Sequence, residues 1–234
     1  MNRLVFPSFR RLDRSRLAAP QVLEDLRDKI IRLDLLPRTV LSRVDLQDAY
    51  GVSSTPVRDA LIKLQEEGLV EIYPQHATFV APIDLAQARQ AHFMRRSIEI
   101  EIARSLALSA DKSFLPLLKN HIDEQEMLSQ RHLVSRFAEA DLAFHWTMYE
   151  AAKVTDLWVQ VRRFSGHIDR IRHLDLPAEG KMNRIITDHK AIVVALEKGE
   201  AHGAEVAVRD HLSRSIALTG AMKERNPEYF SDHS

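Results

Sequence analysis

Four side chains in the second half of the chain have the types and spacing to hold a metal ion. Asp141 and His145 stand four residues apart in Glu139-Ala-Asp-Leu-Ala-Phe-His-Trp-Thr-Met-Tyr-Glu150, so on a helix they share one face. Their neighbours are largely apolar, which turns that face inward. His189 and His211 are 22 residues apart, and each lies 11 residues from Glu200, where the turn between two helices centres. In an antiparallel helix pair, equal distance from the turn means equal height, about 16 Å along each axis. Three helices would then bring one carboxylate and three imidazoles to one level of a core. That set suits a divalent ion, Zn2+ first and Ni2+ or Mn2+ as alternatives, with coordination positions left for water or an anion.

A second pair, Asp169 and His173, has the same spacing but lies among Arg162, Arg163, Arg170 and Arg172 without matched partners, and is read as surface. His92, His121, His132, His167, His202 and His233 are read as ordinary core or exposed histidines. A three-His, one-Asp site with open positions could also activate water, so a metal-dependent hydrolase is the alternative function. The nearby acids, Glu139 and Glu150, are expected to face solvent, which leaves no general base placed by spacing. A third reading makes the metal itself the signal.

The elements that must position these groups follow from the pattern. The chain has 234 residues, 45% hydrophobic, enough for a sizeable core in one or two domains. With 33 Lys+Arg against 33 Asp+Glu it is not a nucleic-acid binder working by bulk charge, although a local basic face remains compatible with specific DNA reading. It has no cysteine, which excludes disulfides, thiolate metal sites and a cysteine nucleophile. Only 7 glycines suit a mostly helical protein. No apolar run reaches the roughly 18–20 residues of a membrane span, and no signal peptide is legible, so a cytoplasmic protein is expected.

Charge and histidine are unevenly placed. Residues 1–16 carry Arg3, Arg10, Arg11, Arg14 and Arg16 against Asp13, and only His76 of the 11 histidines lies before residue 81. Pro82 biases Ala81 away from helix, so a domain boundary falls there. The expected division is a basic arm over 1–16, a first domain over 17–82, a helical second domain over 83–226, and a tail over 227–234.

The first domain reads as a winged helix-turn-helix. Val22, Leu23, Leu26, Ile30 and Leu33 fall on one face of a helix over 20–33. A short helix starts at Ser42 or Arg43 and stops at Gly51; Ser53 or Ser54 caps a second helix that runs to Glu67. The period then switches to two, giving strands at Leu69–Ile72 and Thr78–Val80 joined through Pro74-Gln-His76-Ala77. The second helix would carry Ser53, Ser54, Thr55 and Arg58 into the major groove on its N-terminal end. From Ile83 onward, six amphipathic stretches, at 84–109, 113–130, 132–151, 154–173, 179–198 and 201–223, predict an all-α antiparallel bundle.

These residues carry a resemblance. Gly51-Val-Ser-Ser-Thr-Pro-Val-Arg58-Asp-Ala-Leu61, with Leu64-Gln-Glu-Glu-Gly68-Leu69-Val70 and Phe79-Val80, resembles the winged-helix domain of the GntR family over residues 17–82. The resemblance implies Ser53, Thr55 and Arg58 as DNA contacts, with Arg43, Ser54 and His76 at further contact positions. The chain departs from the family where Ser54 replaces Arg or Lys, where Val44 replaces Arg with Arg43 one place earlier, where His76-Ala77 replaces a wing glycine, and where Pro37-Arg38 replaces Pro-Gly. Asp141-x3-His145, His189 ahead of Ala191-Ile192 and Leu196–Gly199, and His211-Leu212 resemble the FCD ligand-binding domain of the FadR-type branch, over about residues 88–220. That resemblance implies a divalent ion on Asp141, His145, His189 and His211. Arg95-x3-Glu99 looks like the start of this domain, with Arg95 facing the pocket as an anchor for an effector carboxylate. Together the two halves imply a homodimeric transcription regulator, expected to be a repressor. It would bind a palindromic double-stranded operator and respond to a small organic acid.

Overall fold

In a computed structural model, residues 9–74, 76–214 and 219–231 are described. The chain divides into two compact units: residues up to Leu85 together with those from Arg225 onward, and Ala86–Glu224.

The first unit holds α1 (Ala18–Ile31), α2 (Arg43–Tyr50), α3 (Ser54–Glu66), β1 (Val70–Tyr73) and β2 (Ala77–Val80). Val22, Leu26 and Ile30 of α1, Leu46 of α2, and Val57, Leu61 and Leu64 of α3 are essentially inaccessible and form one core with Leu69 and Val80. The Ser42 hydroxyl caps α2 by accepting from the Asp45 N–H at 3.3 Å. Gly51 ends α2 at φ +65°, a conformation that is cheap for glycine alone. Ser53 occupies the N-cap position of α3 but its side chain makes no capping bond, which leaves that hydroxyl to solvent. The two strands pair antiparallel from Val70 opposite Val80 to Tyr73 opposite Ala77. A short third segment, invisible to periodicity, adds to β2: Leu41 N–H donates to Thr78 O (2.7 Å) and Val80 N–H to Thr39 O (2.9 Å).

Both chain ends differ from simple appendages. Residues 1–8 of the expected arm lie outside the described residues, but 9–16 pack on the unit, with the Phe9 ring 4.7 Å from that of Tyr50. The expected tail begins with a single 3-10 turn, Pro227–Tyr229, after which Phe230 is buried. Ile83 N–H donates to Tyr229 O (2.8 Å) and Ser231 N–H to Ile83 O (3.0 Å). Arg38, at φ +67°, donates to the carbonyls of Glu228 (2.5 Å) and Phe230 (3.3 Å).

The second unit is helical throughout its described residues: α4 (Leu85–Leu108), α5 (Leu115–Gln130), α6 (Val134–Ala151), α7 (Thr155–Phe164), α8 (Gly166–Asp175), α9 (Lys181–Lys198), α10 (Ala201–Arg214) and α11 (Thr219–Arg225). The six expected stretches are present, but two of them are divided. The stretch over 154–173 breaks at Ser165, whose hydroxyl sits 3.0 Å from Arg162 O and 2.6 Å from Asp169 Oδ2. The last stretch continues as α10 and α11 on either side of 215–218, which are outside the described residues. Gly199, at φ +70°, turns α9 back onto α10 as an antiparallel pair. The core is built from Leu118, Leu128, Phe137, Phe144, Met148, Tyr149, Ile192, Leu196 and Ala204, all almost without exposure.

Candidate metal centre and DNA-reading elements

Asp141 and His145 leave α6 on the same inward face, His189 leaves α9 and His211 leaves α10. All four are buried, and one ligand atom from each lies within 4.8 Å of the others. His211 Nε2 is 3.2 Å from His145 Nε2 and 3.3 Å from His189 Nε2. Asp141 Oδ1 is 3.7 Å from His189 Nε2 and accepts no hydrogen bond from any described group. The equal-height argument for α9 and α10 therefore describes the geometry.

The outer atoms of the rings explain which way the inner ones face. His189 Nδ1 donates to Gln125 Oε1 at 2.8 Å, while the Gln125 amide nitrogen donates to Ala140 O at 3.3 Å. His145 Nδ1 lies 2.8 Å from Glu99 Oε2; the N–H is not aimed at that oxygen, so the contact is chiefly electrostatic. His211 Nδ1 lies 3.6 Å from Asp188 Oδ2. Gln125 accepts from His189 Nδ1, and the carboxylates of Glu99 and Asp188 flank the Nδ1 of His145 and His211, an environment that favours the proton on Nδ1 and the lone pair on Nε2. Three lone pairs and one carboxylate oxygen then converge in a space closed to solvent, an arrangement that repels itself unless a cation lies between them. These donor types, and the acceptors behind the imidazoles, fit a divalent ion.

Electrostatics agree with that reading. Burial opposes charge on Asp141, but Arg172 and the three imidazoles outweigh it and hold the carboxyl well below its ordinary range. Burial pushes His145 down to about 4 despite Glu99, and pushes His189 well below 6.5 with His211 adding repulsion, so both rings are neutral ligands at pH 7. Burial disfavours the charge on Glu99 as well, yet Arg95 and His145 keep it ionised.

Several functional neighbours have no signal of their own in the sequence. Glu99 is legible only as the partner of Arg95, and no spacing points to Gln125, Asp188 or Arg172. Arg172 donates to Asp141 Oδ2, leaving Oδ1 to the centre. The reading of Asp169 as surface is corrected: it is buried beside the centre, paired with Arg162 at 2.5 Å and 3.7 Å from Arg172, because the break at Ser165 redirects α8. His92 is buried with its Nε2 3.0 Å from Leu212 O, and His121 lies 3.1 Å from the Thr147 hydroxyl. Arg95 is buried, its Nε donates to Glu99 Oε1 at 2.6 Å, and its Nη2 has no hydrogen-bond acceptor.

In the first unit, Ser53, Ser54, Thr55 and Arg58 are exposed together at the N-terminal end of α3. Among the described residues Arg58 keeps only a 3.5 Å contact with Asp59. Arg43 starts α2 and His76 sits at the tip of the wing; both line one cleft of about 380 Å³ with Ser42, Tyr73 and Thr78.

A helix-turn-helix with a two-stranded wing, followed by a helical unit with a buried polar centre, defines a class of two-unit DNA-binding proteins. Comparison with known families agrees. Residues 18–80 match the bacterial regulatory proteins of the gntR family and residues 90–214 match the FCD domain, so this chain belongs to the FCD-bearing, FadR-type branch of the GntR transcription regulators. It is 29% identical to the HTH-type transcriptional repressor RspR of Escherichia coli over 212 residues, 91% of this chain and 93% of that one. It is 30% identical over 207 residues to an HTH-type transcriptional regulator from an unstable DNA locus of Streptomyces ambofaciens, covering 88% of this chain and 86% of that one. Among solved structures, E. coli McbR/YncC shares the fold with a TM-score of 0.75 at 18% identity, over 88% of this chain and 99% of that one. A GntR regulator from Rhodococcus sp. RHA1 gives 0.73 at 22% identity, over 87% and 98%. The protein is thus a DNA-binding transcription regulator. Among the described residues no helix is long and apolar enough to cross a membrane.

Proposed function

We propose that this regulator is a metabolite-responsive repressor, acting as a cytoplasmic homodimer on a roughly palindromic operator. Its helical unit would hold a divalent ion, Zn2+ first, on Asp141, His145, His189 and His211. The convergence of three imidazole lone pairs with the bare Asp141 Oδ1 carries the metal reading. A bound ion would supply open positions for the carboxylate of a small organic acid, and Arg95, with Nη2 lacking an acceptor, is the second anchor. One winged helix reads one half-site, so a two-fold dimer matches a palindrome. In each copy Arg58, Thr55, Ser53 and Ser54 would enter the major groove, with Arg43 and His76 beside the backbone. The effector changes operator affinity only if it binds two conformations unequally.

The hydrolase alternative has no support in the site. Glu99, whose carboxylate lies 2.8 Å from His145 Nδ1, is paired with Arg95 at 2.6 Å and fully buried, so it is committed to charge neutralisation rather than placed as a general base in contact with solvent. The test is an electrophoretic shift with the DNA flanking the protein's own gene. A saturable, sequence-dependent complex that a pathway acid releases supports the reading; binding indifferent to sequence at every salt concentration overturns it.

A further inference from the structure

The arm ahead of α1 lies outside the family match, which begins at residue 18, yet it is built into the first unit. Phe9 packs on Tyr50 and lies 5.6 Å under the Lys29 ammonium, and Leu12 joins the same core. Gln21 clamps the backbone of Asp13 from both sides: it accepts from Asp13 N–H at 2.8 Å and donates to Asp13 O at 2.9 Å. The Asp13 carboxylate in turn accepts from the Ser15 N–H and hydroxyl, each at 2.8 Å, closing a turn. The chain is therefore held in place while Arg10, Arg11, Arg14 and Arg16 project into solvent.

These arginines line a cleft of about 570 Å³ with Asp48, Ala49, Tyr50, Gly51 and Val52, the end of α2 and the turn into α3. The next residues along the chain are Ser53, Ser54 and Thr55. The arm thus flanks the end of α3 that enters the major groove. Arg16 pairs with Glu24 at 3.2 Å, but among the described residues Arg10, Arg11 and Arg14 have no ion-pair or hydrogen-bond partner for their guanidinium groups. The acids of the cleft are Asp48 and the already committed Asp13, fewer than the arginines. Fixed, unneutralised guanidinium groups beside a major-groove helix match a row of phosphates, with less ordering entropy to lose than a disordered arm would have.

We propose that Arg10, Arg11 and Arg14 form a second DNA contact, gripping backbone phosphates beside the half-site read by α3. The contact rests on the DNA-reading role of α3 and gives affinity without sequence preference. The test compares the protein with its triple variant R10Q/R11Q/R14Q on two duplexes, the gene-flanking DNA and one of arbitrary sequence, across a salt series. The expected result is a loss of about tenfold or more on both duplexes at low salt. The dependence of log Kobs on log salt should become shallower by about 2 to 3, at roughly 0.9 per phosphate released. The affinity ratio between the duplexes should hold, and R10K/R11K/R14K should restore most of the slope. An unchanged slope overturns the proposal, even if affinity falls, because the arm then acts only through packing. A parent protein that binds both duplexes equally defeats the specific-reading role while the slope still decides the arm. Absence of any binding at low salt overturns both.

Discussion

Glu99 Oε2 lies 2.8 Å from His145 Nδ1, with both side chains withdrawn from solvent on α4 and α6. The carboxylate is not one of the four converging groups, yet its charge favours the proton on the outer nitrogen of His145 and so leaves the inner lone pair to the centre. It also neutralises Arg95 at 2.6 Å. Glu99→Gln should therefore weaken metal affinity by about 10- to 100-fold while the four ligands stay in place. A competition titration against a chromophoric chelator measures this. An unchanged affinity would show that the orientation of the His145 ring is set by packing alone, through contacts such as the edge-on approach of Phe144 at 5.6 Å.

Removing the ligands themselves separates metal from fold. In the protein with His145→Ala and His189→Ala, elemental analysis should find metal lost, and added Zn2+ should no longer raise the melting temperature. In the parent, zinc at about 100 times its dissociation constant adds about 2.7 kcal/mol if the unfolded chain does not bind it. Full metal retention in the double variant would remove these residues from the site.

Arg38 replaces a family glycine at a backbone position where φ is +67°. The strain there is of order 1 kcal/mol, and the side chain offsets it by donating to the carbonyls of Glu228 and Phe230. Arg38→Ala keeps the strain and loses both bonds, so it should cost about 1–3 kcal/mol. Arg38→Gly loses the bonds but relieves the strain and should cost less. Urea denaturation of both variants checks the order; a glycine variant weaker than the alanine one would refute the strain argument.

Short-range chemistry makes part of the fold legible in the sequence. The Ser42 cap, the Gly51 stop and the period-two wing are of this kind, and the spacings of Asp141, His145, His189 and His211 follow from helical period and a single turn. Contacts distant in sequence leave no such trace. Gln125 and Asp188 acquire roles only because α5 and α10 pack against α9, and Arg172 only because α8 is re-aimed after Ser165. Arginines surround Asp169 in sequence and suggest a solvated face, whereas those same arginines supply the partners that permit its burial. The Thr39–Leu41 segment is too short to show alternation, and nothing near Phe230 in sequence signals that it buries beside Ile83.

The metal-free protein should lose stability as pH falls. His145 has its folded pKa pushed down to about 4 by burial, against Glu99's opposing pull, and His189 is well below 6.5 for the same first cause. In the unfolded chain both take up a proton near pH 6.5. Between about pH 6.5 and 4 the unfolded state therefore binds more protons, and stability falls as pH falls, by about 1 kcal/mol per pH unit for each ring when fully developed. Glu99 and Asp141, both held below their ordinary values, add a further loss in the same direction once pH drops through the usual carboxylate range. Chemical denaturation of chelator-treated protein between pH 7.5 and 4.5 measures the slope. A flat profile would mean that the rings are protonated in the folded state and that the converging nitrogens are not lone pairs.

Arg58 offers the cleanest separation of DNA reading from ligand binding. It is exposed on α3, tied among the described residues only to its neighbour Asp59 at 3.5 Å, and is not part of the core formed by Val57, Leu61 and Leu64. Arg58→Ala should leave melting temperature and metal content unchanged while weakening operator binding. A bidentate arginine–guanine pair discriminates by about 1–3 kcal/mol, so the loss should be roughly 5- to 100-fold on the operator and much smaller on an arbitrary duplex. An equal loss on both would reassign Arg58 to a phosphate contact, since charge without base geometry weakens every sequence alike. Retained affinity on both would remove it from the interface, and base reading would then have to come from the hydroxyls of Ser53, Ser54 and Thr55.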